Sequence, residues 1–183
     1  MARAIAAFLE AAGQSLTGEL AGTPERVAQT WASDFLDGEG IAPREALGSP
    51  LAAPGAGLVC VTGIDFHSMC PHHMLPYRGL AHVAYLPARQ VVGFSGLACL
   101  VDVLAHRLVL QEVLARQIAE GLREAIDARG AGCVLAVEQA CLTCRGRARR
   151  RARVTAEAFS GRFPAAERAR FSQAVAAGAG EAP

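Results

Sequence analysis

Two clusters of sulfur and imidazole groups, far apart along the chain, limit what this sequence can fold into more than any other feature. The first is Ser68-Met69-Cys70-Pro71-His72-His73 and the second is Cys141-Leu142-Thr143-Cys144-Arg145-Gly146. Zinc takes Cys sulfur and His nitrogen, and a catalytic zinc typically has three protein ligands and one open position for water. Cys70 and His73, at i and i+3, can turn onto one ion. A third ligand from Cys141 or Cys144 would tie two distant segments together, so the fold must bring them to one place. The pattern reads as a catalytic Zn²⁺ site of the Cys₂His type. The Cys141-x-x-Cys144 spacing also suits a redox pair or half of a structural zinc site. A structural site would use both thiols and close the fourth position.

The 183 residues suit one domain with some excess, and a hydrophobic fraction of 52% is enough for a proper core. A net charge of +1 gives no argument for nucleic acid or a membrane surface, and 5% aromatics disfavours base-stacking platforms. The six cysteines sit in apolar or metal-like contexts, which reads as reduced thiols in a cytoplasmic protein. The apolar run from Ala4 to Leu9 is too short for a signal-peptide core, and no run is long enough to span a membrane.

Residues 2 to 13 favour a helix by composition. Thr23 and Pro24 read as cap and first position of a second helix, with Val27, Trp31, Phe35 and Leu36 as its apolar stripe. Residues 38 to 56 read as a loop, 58 to 66 as a strand, 70 to 76 as a turn carrying the metal cluster, and 80 to 86 as a second strand. A short extended piece at 91 to 94 leads to Ser95, which caps a helix with Leu97, Leu100, Val101 and Leu104. Leu110, Leu114, Ile118, Leu122 and Ile126 recur every four residues on a helix from Val109 to Ala128, ended by Gly130 and Gly132. Cys133 to Cys141 reads as a strand with Cys133, Leu135, Val137, Gln139 and Cys141 on one face. A last strand spans 154 to 159, a helix 164 to 176, and the end beyond it is expected to fray. The order predicts an α+β fold, an antiparallel sheet with two long helices packed on one face and N-terminal helices appended. The expected division is a helical region and loop at 1–56, a catalytic domain at 57–163, and a C-terminal helix and tail at 164–183.

Six stretches carry a family resemblance. Thr23 to Ala28, Ser68 to His73, Val83 to Pro87, Val92 to Ser95, Leu110 to Glu112 and Cys141 to Gly146 occur in the order seen in GTP cyclohydrolase I. The chain resembles that family over roughly residues 20 to 163. The resemblance implies a tunnelling fold assembled into a homo-oligomeric ring, a decamer or another ring size, with active sites at subunit interfaces. It implies a purine substrate, a cyclic amidine hydrolase that opens the imidazole ring of GTP at C8, and release of formate before a dihydropterin triphosphate forms. By resemblance Cys70, His73 and Cys141 are the zinc ligands, and His72 is a catalytic histidine. Gln111 and Glu112 fall on the guanine-reading pair, Ser95 and Arg145 on phosphate contacts. Zinc brings bound water to a pKa near ~7, His72 can protonate a purine nitrogen, and the Glu112 carboxylate can accept from guanine N1–H and the 2-amino group. Structural readings stand beside these: Glu112 in an ion pair with Arg116, Ser95 as a helix cap only, and Arg145 as a solvated charge.

The sequence departs from the family at four places. The glutamate before the two histidines is Pro71, the lysine after the motif serine is Gly96, a nearby arginine is Cys99, and the second catalytic histidine is Gln139. Glutamine hydrogen-bonds but does not shuttle a proton near neutral pH. Zinc, one histidine and the base-reading pair are kept, while two cations near a triphosphate and one proton carrier are lost. The expectation is a hydrolase that opens a guanine-type ring on a substrate without a triphosphate, or that stops at a formamido- or diaminopyrimidine. The basic run Arg147 to Arg153 could replace the lost cations or protect an edge strand. Two other functions compete: a catalytically silent purine- or pterin-binding paralogue or regulator, and a structural zinc protein that also uses Cys144.

Overall fold

The computed structural model describes residues 1–145 and 149–179. Gly146 and Arg147, which end the second motif and open the basic run, lie outside the described residues, as does 180–183 of the tail. The elements in order are α1 (Ala2–Ala11), a 3₁₀ turn (Gly18–Leu20), α2 (Thr23–Thr30), a π-turn (Trp31–Phe35), α3 (Pro43–Leu47), β1 (Leu51–Ala52), β2 (Val59–Met69), β3 (Pro76–Leu86), β4 (Gln90–Val91), α4 (Phe94–Ala105), α5 (Gln111–Ala125), β5 (Gly130–Gln139), α6 (Ala140–Thr143), β6 (Val154–Gly161) and α7 (Ala165–Ala179). The main sheet has the order β2-β3-β5-β6, with every neighbouring pair antiparallel. This is the α+β architecture expected from the sequence. No helix among the described residues is long and apolar enough to cross a membrane.

Alternation along the strands decides which side the long helices cover. Tyr77, Ala81, Val83 and Tyr85 of β3 and Cys133, Leu135 and Val137 of β5 lie in one core cluster with Leu97, Leu100 and Leu104 of α4 and Leu114, Ile118 and Leu122 of α5. Each such leucine or isoleucine, fully removed from water, contributes about 1.5–3 kcal/mol. The opposite face carries Ala84 and Leu86 against Phe163 and Phe171, so α7 packs behind the sheet.

Several local expectations need correction. Thr23 does not cap α2: Gly22 does, in a left-handed conformation, and Thr23 Oγ1 instead accepts from Arg26 Nη2 at 2.8 Å. Ser95 lies inside the first turn of α4, and Gly93 is the N-cap. The 38–56 loop contains α3 and β1. α5 begins at Gln111 because Leu108–Leu110 is held extended, with the Val109 N–H donating to the Met69 carbonyl at 3.2 Å. Its end is made by Asp127 at φ 50°, one of the residue types that tolerates the left-handed region, and Gly130 already belongs to β5. β5 stops at Gln139, so Cys141 is on the one-turn α6 and does not share the strand's face. α7 continues to Ala179, beyond the residue where fraying was expected to begin.

One buried histidine makes the fold sensitive to acid. β2 and β3 lose register between Val61 and Ile64, where Gly63 takes φ 75°. The freed Gly63 N–H donates to His82 Nδ1 at 3.3 Å, and His82 is buried. That bond needs an unprotonated Nδ1, and burial lowers the His82 pKa. The unfolded chain therefore takes up a proton that the folded chain refuses as pH falls below the ordinary value of ~6.5. Stability is complete above that value and is lost below it, by at most about 1.4 kcal/mol per pH unit. Urea midpoints from about pH 7.5 to about pH 5.5 should fall more steeply for the wild type than for His82→Gln, whose amide oxygen can still accept from Gly63.

Candidate active site

The ends of three strands and the start of one helix build the site. Met69 pairs with Pro76, and the turn between them is closed by the Cys70 N–H donating to the Leu75 carbonyl at 3.0 Å and the Met74 N–H to the Cys70 carbonyl at 2.9 Å. Met74 takes φ 52° to complete it. The turn leaves Cys70 buried at 7% exposure and holds His72 and His73 in solvent, their rings 6.4 Å apart and nearly perpendicular. Tyr77 pairs with Gln139, so β5 ends where the turn begins, and α6 carries Cys141 and Cys144 onward from that end. Cys141 is half-buried and Cys144 exposed.

Tyr77 ties this end to α5. Its hydroxyl donates to the Val109 carbonyl at 3.0 Å, immediately before α5. Burial raises the Tyr77 pKa strongly, against a smaller lowering by the Ser68 hydroxyl. Neither Tyr77 nor Leu108 belongs to a motif of the sequence, and Val109 and Leu110 read there as helix. Extending the strand alternation back from Ala81 through Gly79 would have found the tyrosine.

The remaining site residues divide into engaged and open groups. Gln111 is 1% exposed, and its Nε2 donates to the carbonyls of Leu135 at 3.1 Å and Val154 at 3.0 Å. Its Oε1 accepts from Gln139 Nε2 at 3.1 Å, so its whole carboxamide is engaged. Glu112, by contrast, is exposed, and Arg116 pairs with Glu120 at 3.2 Å rather than with it. Ser95 and Arg145 are also exposed. A β-carbon on Gly96 would stand 2.5 Å from the Leu47 carbonyl oxygen, so α3 closes over the place where a longer side chain would start.

The structure thus brings Cys70, His72, His73, Gln139, Cys141 and the start of α5 to one end of the sheet. Among the described residues it does not converge three His, Cys, Asp or Glu side chains tightly enough to grip an ion. The donor set nevertheless fits zinc in kind: two thiols, of which Cys70 is shielded from water, and an imidazole on a short turn. A cavity of about 380 Å³ lies alongside, lined by Pro71 of the turn, by Leu110 and Val113 of α5, and by Arg107.

A family model described as GTP cyclohydrolase I matches residues 1–176. The chain belongs to the GTP cyclohydrolase I family. It is 41% identical over 165 residues to GTP cyclohydrolase 1 of Chromobacterium violaceum, covering 88% of this chain and 79% of that one. The corresponding enzyme of Streptococcus pyogenes is 43% identical over 145 residues, 78% and 74% of the two chains. That of Campylobacter jejuni is 39% identical over 166 residues, 89% and 86%. Among solved structures, the archaeosine synthase QueF-Like in the apo form aligns with 60% of this chain and 99% of its own at 20% identity and TM-score 0.47. Membership makes this chain a GTP cyclohydrolase I-like enzyme, a hydrolase of the purine ring-opening type.

Proposed function

We propose that this GTP cyclohydrolase I-like enzyme is zinc-dependent and opens the imidazole ring of a guanine-type purine. Its substrate lacks the triphosphate, or its reaction stops at a formamido- or diaminopyrimidine. The observation that carries the reading is the joining of the Cys70–Leu75 turn to the α5 N-terminus through Met69, Val109 and Tyr77. It brings potential zinc donors and an exposed carboxylate, Glu112, toward one end of the sheet.

Each group has work suited to its chemistry. Glu112 accepts from the N1–H and 2-amino group of the base. The Gln111 carboxamide is engaged, so its contribution is the backbone N–H, an orphan donor of the first helical turn suited to the base carbonyl. His72, in solvent on the turn, supplies a proton to the ring nitrogen whose bond to C8 breaks as water adds there. The product of that step is a formamidopyrimidine, and a second hydrolysis releases formate. Zinc held by Cys70, His73 and Cys141 supplies, when bound, Lewis acidity that makes water nucleophilic near neutral pH. Ser95 and Arg145 remain for an anionic or hydroxylated tail. Gly96 under the Leu47 carbonyl and Cys99 in place of cations argue for a less charged one. The working form is a cytoplasmic homo-oligomeric ring, a decamer or another ring size.

Incubating zinc-loaded protein with GTP, guanosine and guanine, with formate and ultraviolet absorbance followed, tests the reading. Ring opening of guanosine or guanine, or of GTP without pterin formation, is the expected result. Dihydropterin triphosphate formed from GTP at an ordinary enzyme rate overturns it. The Gln111–Gln139 carboxamide pair, which has no group titrating near neutral pH, favours a second reading as a silent purine- or pterin-binding paralogue. Purine binding with no turnover of any of the three would select that one.

A further inference from the structure

We propose that Gln139 is a fixed hydrogen-bond acceptor for a substrate N–H or hydroxyl. It is a positioning and specificity-determining residue whose orientation is set from the sheet through Gln111. The identity of the ligand as a purine rests on the reading above; the fixing of the amide does not.

The orientation follows from what each group can do. The Leu135 and Val154 carbonyls only accept, so the Gln111 amide must turn its NH₂ end toward both. Its oxygen then faces away and can only accept in turn. Gln139 meets it with Nε2 at 3.1 Å. The choice between the amide's two ends is made here by main-chain carbonyls at one remove. Gln139 Oε1 is thereby left over, and it makes no hydrogen bond among the described residues. It belongs to a half-buried residue at the end of β5, beside Tyr77 in register and directly before the turn that carries Cys141.

A neutral histidine held at this place would donate one ring N–H to Gln111 and offer its other nitrogen as an acceptor. The carboxamide reproduces that pattern, one donor inward and one acceptor outward, without an ionisation near neutral pH. It can therefore hold a donor in place but cannot carry its proton away. With Glu112 it gives the site two acceptors, which selects for a ligand rich in N–H or O–H groups.

Gln139→Met, Gln139→His and the wild type separate the possibilities. Gln139→Met should lower kcat/KM for the purine that turns over by about 10- to 100-fold. Gln139→His, which can still donate to Gln111 and offer an acceptor outward, should recover most of that loss. Running guanine and guanosine side by side distinguishes a ring N–H from a ribose hydroxyl as the donor, since only the latter spares free guanine. Independently of substrate, the side-chain NH₂ protons of Gln139 and Gln111 should exchange slowly with water in ¹⁵N-resolved spectra, and those of Gln111 faster in Gln139→Met. Wild-type kcat/KM in Gln139→Met, or Gln139 amide protons that exchange as an exposed glutamine's do, overturns the inference. Slow exchange with no purine turnover instead removes the purine reading, and the acceptor role with it, leaving only the pinned amide.

Discussion

Cys141→Ala is expected to yield a folded chain whose zinc content falls from near one ion per chain to near zero, with turnover down by at least about a thousandfold. The size follows from what a Lewis acid contributes to such a reaction, several kcal/mol of barrier at about 1.4 kcal/mol per tenfold. Folding should survive because Cys141 is half-buried on a single helical turn outside the core clusters. The turn keeps its own bonds, from the Cys144 N–H to the Ala140 carbonyl at 2.9 Å and from Thr143 Oγ1 to the Gln139 carbonyl at 3.3 Å. Cys70 makes a poorer probe, since it belongs to the core and its replacement mixes lost metal with lost packing. Cys144→Ser is the control. It is exposed and lies outside the proposed ligand set, so zinc content should not change. Elemental analysis and thermal melting of the two variants decide the matter. If Cys144→Ser empties the protein of zinc as thoroughly as Cys141→Ala, the ion has four protein ligands, its coordination is closed, and it is structural.

The sequence was most informative where one residue type has few alternatives. Leu114, Ile118 and Leu122 recur at helical spacing, and the structure buries all three against the sheet. The clustering of Cys70, His72 and His73 likewise survives as one turn, because Met69 and Pro76 pair on either side of it. What escaped were features fixed by distant partners. Nothing local says that Leu108–Leu110 stays extended; a bridge to Met69 does. Nothing local says that Gln111 turns inward, since the carbonyls that hold it come from Leu135 and Val154 on two other strands. Strand alternation carried past β5 puts Cys141 on the strand's face, whereas the chain turns at Gln139. Glu112 and Arg116 have the spacing of a helical ion pair, yet Arg116 has a second carboxylate at the same spacing in Glu120 and pairs with that one.

His72→Ala is expected to lower kcat by about 10²–10⁴-fold while leaving zinc content and KM nearly unchanged. The loss should fall on kcat because proton donation is needed only as the ring nitrogen departs, not when the purine binds. No other imidazole of the described chain is placed to stand in. His67 Nε2 is engaged with the Asp34 carbonyl at 2.9 Å and His106 Nδ1 with Asp37 at 2.7 Å, in a separate cluster against the N-terminal segment. His82 is buried at the β2 bulge. His73 is proposed as a zinc ligand, and Gln139 has no group that gains or loses a proton near neutral pH. A family member with two histidines at this point could lose one and keep a partial pathway; on the proposed reading this chain has one carrier among its described residues, so its removal leaves only water. His72→Asn separates the two things the side chain does. It retains hydrogen bonding but not acid–base chemistry, so it should match alanine in kcat. A His72→Ala protein that keeps its zinc and the wild-type kcat would place the proton transfer on another residue and detach the chemistry from this turn.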